Sequence, residues 1–291
     1  MRVDQIFHEA KAAGRAPVSF EMFPPKGELT LERAHTAAEA LSACGPDYIS
    51  VTCSAGGTGN SSATAQIAAM ISRDFGVSAV AHLTGIGLTR GDLAERIEAY
   101  RAAGVENVLA LRGDRPQGAA LPEGDFSYAA EIIPALAEAG FCVGAAAYPE
   151  GHIECDDLAE SIRHLRLKQD AGASFFVTQL CFDNETIYRF LELAERAGIT
   201  VPITIGIMPF MGKQQITRMV FLCGASLPSP VIKILARYED DPESLMAAGI
   251  DYACRQLEDL AAHGVDGCHI YTMNRPSVAR AAMAALRGVA A

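Results

Sequence analysis

What this chain lacks narrows its function before what it contains is considered. No apolar run approaches the ~20 residues that a membrane-spanning helix needs, so no membrane partner is expected. The opening Met1-Arg2-Val3-Asp4-Gln5 leads into a polar, helix-like stretch without the pattern of a signal peptide. The eight cysteines are scattered and form no CxxC pair, which argues against a disulfide framework and against a zinc site. Most read as small core residues in a reducing compartment, so the cytoplasm is the expected location. HxH and HExxH spacings are absent too, and no metal is expected. Basic residues are the scarcer charge: 24 Lys and Arg against 35 Asp and Glu leave a net charge of −11. That balance argues against nucleic acid as a partner, and it means that an anionic ligand must be met by a local cluster of cations or helix N-termini. With no linker and no low-complexity tract, residues 1–291 are expected to form one domain.

What is present is a repeating alternation of short β-rich runs and amphipathic helices. Strands are expected at Val18–Met22, Tyr48–Thr52, Ala79–Leu83, Asn107–Ala110, Cys142–Tyr148, Ser174–Thr178, Ile203–Ile207 and Cys268–Tyr271. Helices are expected between them, including one over Tyr128–Ala139. An extra helix is placed near Val231–Ala236, before the last strand, and another at Ser277–Arg287. Several helices end in glycine just before a strand, as in Ala103-Gly104-Val105 and Ala139-Gly140-Phe141, the residue that takes a left-handed cap at least cost. β-then-α units repeating at roughly 30-residue spacing predict an α/β fold, an eight-stranded parallel β/α (TIM) barrel. A doubly wound open sheet is the competitor, and the lack of GxGxxG after the first strand weakens its dinucleotide-binding version.

In such a barrel chemistry is built at the C-terminal ends of the strands. Glu21 stands there on the first strand, between Phe20 and Met22 and just before Pro24-Pro25. A carboxylate on an apolar strand is costly unless paired, hydrated or protonated, so Glu21 is a candidate proton donor. Later strand ends add Thr52, His82, Arg112-Gly113-Asp114, Tyr148, Glu150, His152, Thr178, Gln179, Asp183, Tyr271, Asn274 and Arg275. Cys53 and Cys181 also follow strands, but neither has a local histidine motif and both read as packing residues. Gly56-Gly57-Thr58-Gly59 lacks the Lys-Ser/Thr of a phosphate-binding loop. A pocket of hydrogen-bonding groups with two carboxylates in different settings suits a planar heteroaromatic ligand and acid catalysis.

Ser19-Phe20-Glu21-Met22-Phe23-Pro24-Pro25-Lys26, Val51-Thr52, His82-Leu83-Thr84, Ala110-Leu111-Arg112-Gly113-Asp114, Ala147-Tyr148-Pro149-Glu150-Gly151-His152, Val177-Thr178-Gln179, Gly206-Ile207-Met208-Pro209 and His269-Ile270-Tyr271-Thr272-Met273-Asn274-Arg275 follow one another along nearly the whole chain. In order and spacing they resemble the methylenetetrahydrofolate reductases. The resemblance implies a flavoenzyme of one-carbon metabolism and methionine supply. NADH or NADPH reduces FAD, which passes hydride to methylenetetrahydrofolate to give methyltetrahydrofolate. It gives Glu21 the role of general acid, places Asp114 near both rings, and assigns the folate to Gln179 and Arg275. Thr52, His82, Arg112, Gly113, Asp114, Tyr128, Ala129, Tyr148, His152, His164 and Lys168 match flavin-contacting positions. A homo-oligomer is expected as well, and no regulatory domain after the barrel, since the chain stops about fifteen residues past Arg275.

Two departures stand out. Where the family commonly has an aromatic residue after Gly206-Ile207-Met208-Pro209, this chain has Lys213, with Phe210 nearby, and residues 54–60 differ from many relatives. A folate-dependent methyltransferase partner and a flavin-independent reductase are the alternative readings.

Overall fold

Alternation along each strand decides which side chains face the helices and which face the barrel axis. In β1 (Val18–Met22), Val18, Phe20 and Met22 join the large core shared with the helices, leaving Ser19 and Glu21 on the other face. The same alternation runs through β2 (Tyr48–Val51), β3 (Ser78–Thr84), β4 (Asn107–Leu111) and β5 (Cys142–Ala147), then β6 (Phe175–Thr178), β7 (Ile203–Ile207) and β8 (Gly267–Tyr271). These strands pair in parallel and in chain order into a closed barrel. β8 returns to β1 with Ser19 opposite His269 and Glu21 opposite Tyr271. Every strand lies within one residue of the bounds expected from sequence. The computed structural model describes residues 1–25, 31–53, 61–114 and 123–288.

The helices are α1 (Val3–Ala12), α2 (Leu31–Ser42), α3 (Ser61–Phe75), α4 (Arg90–Ala102), α5 (Ile133–Glu138) and α6 (Leu158–Asp170). They continue as α7 (Asn184–Arg196), α8 (Lys213–Cys223), α9 (Ser229–Arg237), α10 (Pro242–His263) and α11 (Pro276–Arg287). The expected extra helix before the last strand is α9, and the closing one is α11. One expectation needs correction: Tyr128–Ala139 is not a continuous helix. A short 3-10 turn at Ala129–Glu131 comes first, and α5 starts afresh with Pro134 in its first turn, where proline's missing N–H does no harm. Among the described residues no helix is long and apolar enough to cross a membrane.

The floor of the barrel is sealed before the chain enters β1. Val3, Ile6 and Phe7 of α1 pack beneath the inward side chains Tyr48, Val80, Leu109, Cys142 and Phe175. Each fully buried side chain of this size contributes about 1.5–3 kcal/mol. Asn107 anchors the plug by accepting the backbone N–H of Val3 at 2.8 Å. Above this largely apolar floor the inward face turns polar, with Ser19, Ser50, His82 and His269 all buried there.

Candidate active site

The upper interior is built around Glu21. Its apolar neighbours Phe20 and Met22 point into the helix layer, so the carboxylate lies on the strand's other face, with Ser19. It faces two buried histidines, with Oε2 3.7 Å from Nε2 of His269 and 4.0 Å from Nε2 of His82. Each imidazole has a serine: Ser19 Oγ lies 2.8 Å from Nδ1 of His269, and Ser50 Oγ hydrogen-bonds Nε2 of His82. Tyr271 donates to the carbonyl of Thr178 at 2.8 Å and stacks edge-on against His269. Burial, and then the Glu21 charge, hold its phenol well above the usual range.

Burial pushes the pKa of His82 down to about 4, against the opposing pull of Glu21, so its ring is neutral at neutral pH. Between its ordinary value of 6.5 and about 4, the unfolded chain binds a proton that the folded one refuses. Stability contributed by neutral His82 is therefore full above 6.5 and is lost as pH falls toward 4. Denaturant unfolding at neutral pH and at about pH 5 should show a smaller acid-induced loss in His82→Gln than in the parent. Equal losses would put the acid sensitivity elsewhere.

The end of the strand carrying the acid is clamped from the segment that follows β8. Thr272 Oγ1 donates to the Glu21 carbonyl at 2.7 Å. The Asn274 amide takes the N–H of Phe23 at 3.0 Å and gives a hydrogen bond to its carbonyl at 2.8 Å. Met273 and Asn274 hold φ of 53° and 54°, a left-handed pair of non-glycine residues that the clamp keeps in place.

Where the ends of β4 and β5 meet α6 lies a cavity of about 630 Å³, within the span of roughly 300–1,000 Å³ usual for small-molecule sites. Of the residues matched to flavin contacts, Arg112, Tyr128, Ala129, Tyr148, His152, His164 and Lys168 line it. The Nζ of Lys168 donates to Ala146 O at 2.8 Å and lies 5.3 Å from the centre of the Tyr148 ring. Burial, with Arg112 nearby, lowers its pKa to about 8. His152 packs edge-on to Tyr148, its pKa lowered by burial and then by Arg112. Gly113 and Asp114 follow β4 at the rim. Partial burial raises the Asp114 carboxyl and Arg112 opposes it, although the residue keeps an exposed edge. Thr52 follows β2, its N–H bonded to the Met22 carbonyl. A larger cavity, about 1080 Å³, opens at the opposite end between α1 and α11, and no expected site residue lines it.

Other expected residues have structural work. Glu150 accepts the N–H and hydroxyl of Ser226, tying the β5–α6 connection to the one between α8 and α9. Asp183 precedes α7 and accepts Thr186 Oγ1 at 2.9 Å. Gln179 accepts the N–H of Leu180 at 2.9 Å, and among the described residues its amide nitrogen donates to no protein group. Arg275 opens α11, 3.8 Å from the sulfur of Met246. Lys213 pairs with Glu239 at the exposed start of α8. Phe210 cannot serve as a mouth aromatic: it is 0% exposed and packs against Phe182 and Tyr252. Lys26 and residues 54–60 lie outside the described residues. Sequence reasoning left out His269, Ser19, Ser50 and Glu154. The first two stand inside quoted motifs, but nothing along the chain shows that they meet Glu21.

The family model described as methylenetetrahydrofolate reductase matches residues 6–287. The chain belongs to the methylenetetrahydrofolate reductase family. The 5,10-methylenetetrahydrofolate reductase of Pectobacterium carotovorum is 33% identical over 94% of this chain and 90% of its own length. Methylenetetrahydrofolate reductase 1 of Schizosaccharomyces pombe is also 33% identical, over 88% of this chain. The chain spans 43% of that longer relative. Among solved structures, a Clostridium thermocellum protein described as binding two copies of 5-methyl-5,6,7,8-tetrahydrofolic acid superposes with a TM-score of 0.66 over 98% of both chains. At 17% identity it supports the barrel alone.

Proposed function

We propose that this chain reduces methylenetetrahydrofolate to methyltetrahydrofolate at the mouth of the barrel, with FAD as hydride carrier and NADH or NADPH as donor. The observations that carry the reading are the placement of Glu21 between His82 and His269 and a cavity over the ends of β4 and β5 that gathers Arg112, Tyr148, His152, His164 and Lys168. That donor set fits the cofactor: Arg112 and Lys168 offer charge to a pyrophosphate, and Tyr148 and His152 offer aromatic surface and polar edges. When bound there, FAD would supply two-electron chemistry, taking hydride from the nicotinamide and delivering it to the folate.

The chain's own part is proton transfer and charge placement. Glu21 gives its proton to the bridging nitrogen of the folate, and the carbon–nitrogen bond of the methylene bridge breaks to leave an iminium cation. Hydride addition at that carbon gives the methyl group, and Glu21, left ionised, regains a proton before the next turnover. Neutral His82 adds no positive charge beside the acid, while Asp114, once ionised, stabilises the cation across the mouth. Gln179, with its amide nitrogen open, and Arg275 take the folate. All eight cysteines are free thiols, which supports a reducing compartment such as the cytoplasm. We take the working form to be a homo-oligomer.

The purified protein should be yellow, release flavin on denaturation, and bleach anaerobically with NADH or NADPH. A colourless protein that gains no activity with added FAD would sink the flavin reading and favour a flavin-independent reductase. Methyl transfer without nicotinamide oxidation would favour a methyltransferase partner.

A further inference from the structure

The cavity's principal cation is already engaged by a carboxylate. Arg112 reaches from the end of β4 to Glu154 in the β5–α6 connection, with Nη1 2.7 Å and Nη2 2.9 Å from the two carboxylate oxygens. Its Nε donates to the carbonyl of Gly113 at 3.1 Å. A guanidinium grips an anion with two points along either the Nη1–Nη2 edge or the Nε–Nη2 edge. Glu154 takes the first edge and Gly113 part of the second, so no two-point edge is left for a phosphate. The Arg112 side chain is 18% exposed and that of Glu154 34%, so solvent screens the pair only in part. Glu160 repeats the arrangement on α6, 2.9 Å from Nε2 of His164. Arg112 and His164 thus each face a carboxylate of the lining, whereas Lys168 donates to the Ala146 carbonyl.

We propose that Glu154 is a built-in competitor for Arg112: it holds the guanidinium while the cavity lacks an anion and yields it to the pyrophosphate of a bound dinucleotide, so that Glu154 limits cofactor affinity. This rests on the FAD reading above. The carboxylate keeps Arg112 extended over the cavity, and every bound anion must displace it or share its charge. A ligand with the same ring system but no phosphate does not compete with it.

The test is titration of apoprotein with FAD and, separately, with riboflavin, followed by flavin fluorescence. Glu154→Gln should lower the FAD Kd about threefold to tenfold and leave the riboflavin Kd within about twofold of the parent. The gain should vanish in the Arg112→Met background. Weaker or unchanged FAD binding in Glu154→Gln would overturn the competition, as would an equal gain for riboflavin or a gain that survives without Arg112. A parent that binds neither ligand would remove the flavin reading itself, and the inference with it.

Discussion

Glu21→Gln is expected to slow the folate half-reaction by about 10³-fold while anaerobic reduction of bound flavin by NADH or NADPH stays within about threefold of the parent. The amide keeps the shape and the backbone contacts of the glutamate. Thr272 holds the carbonyl of residue 21, which the change does not touch. What is lost is the transferable proton, and among the described residues no other carboxyl is held between His82 and His269 as Glu21 is, at 4.0 and 3.7 Å. Neutral His82 is a poor substitute, because burial has pushed its pKa down to about 4 and leaves it without a proton to give. Stopped-flow measurement of the two half-reactions separates the outcomes. An equal loss in both would make Glu21 a structural residue of the mouth.

The second large effect concerns stability. Gly249→Ala should destabilise the fold by about 3 kcal/mol, the upper part of the range for overpacking. A Cβ at position 249 would lie 1.8 Å from the carbonyl oxygen of Phe210 and 2.9 Å from its carbonyl carbon. Those are backbone atoms of the segment leaving β7, so no rotamer change relieves the clash. Nor can the Phe210 side chain give way, since it is buried between Phe182 and Tyr252, and Tyr252 is fixed by its hydrogen bond to the Phe182 carbonyl at 2.6 Å. Either α10 or the β7–α8 segment must move. Urea unfolding checks it, and a loss below about 1 kcal/mol would show that α10 slides aside.

The fold was legible because its signals are local. Strand alternation, glycine after helices and the recurrence of β-then-α units depend on neighbours a few residues apart, and the barrel follows from repeating them. The site was legible as a set of strand ends and not as a set of contacts. Glu21 reads as an acid on an apolar strand because its neighbours are apolar. In a barrel both faces of a strand are buried, and the second face, with Ser19, is polar. That His269 stands beside it depends on closure between β1 and β8, 250 residues apart. The Arg112–Glu154 pair joins two loops 42 residues apart. Phe210 illustrates the same limit in reverse. An aromatic just past a strand can face the mouth or the helix layer, and α10 decides the matter through a glycine 39 positions later.

The clamp from Asn274 to Phe23 fixes when the site becomes functional during synthesis. Glu21 leaves the ribosome about 250 residues ahead of His269, Thr272 and Asn274. At translation rates of about 5–20 residues per second, the acid waits on the order of ten seconds or more for the partners that hold it. The cavity draws on β4 to α6. On the nascent chain the segments that line the cavity are therefore synthesised before the residues that hold the acid.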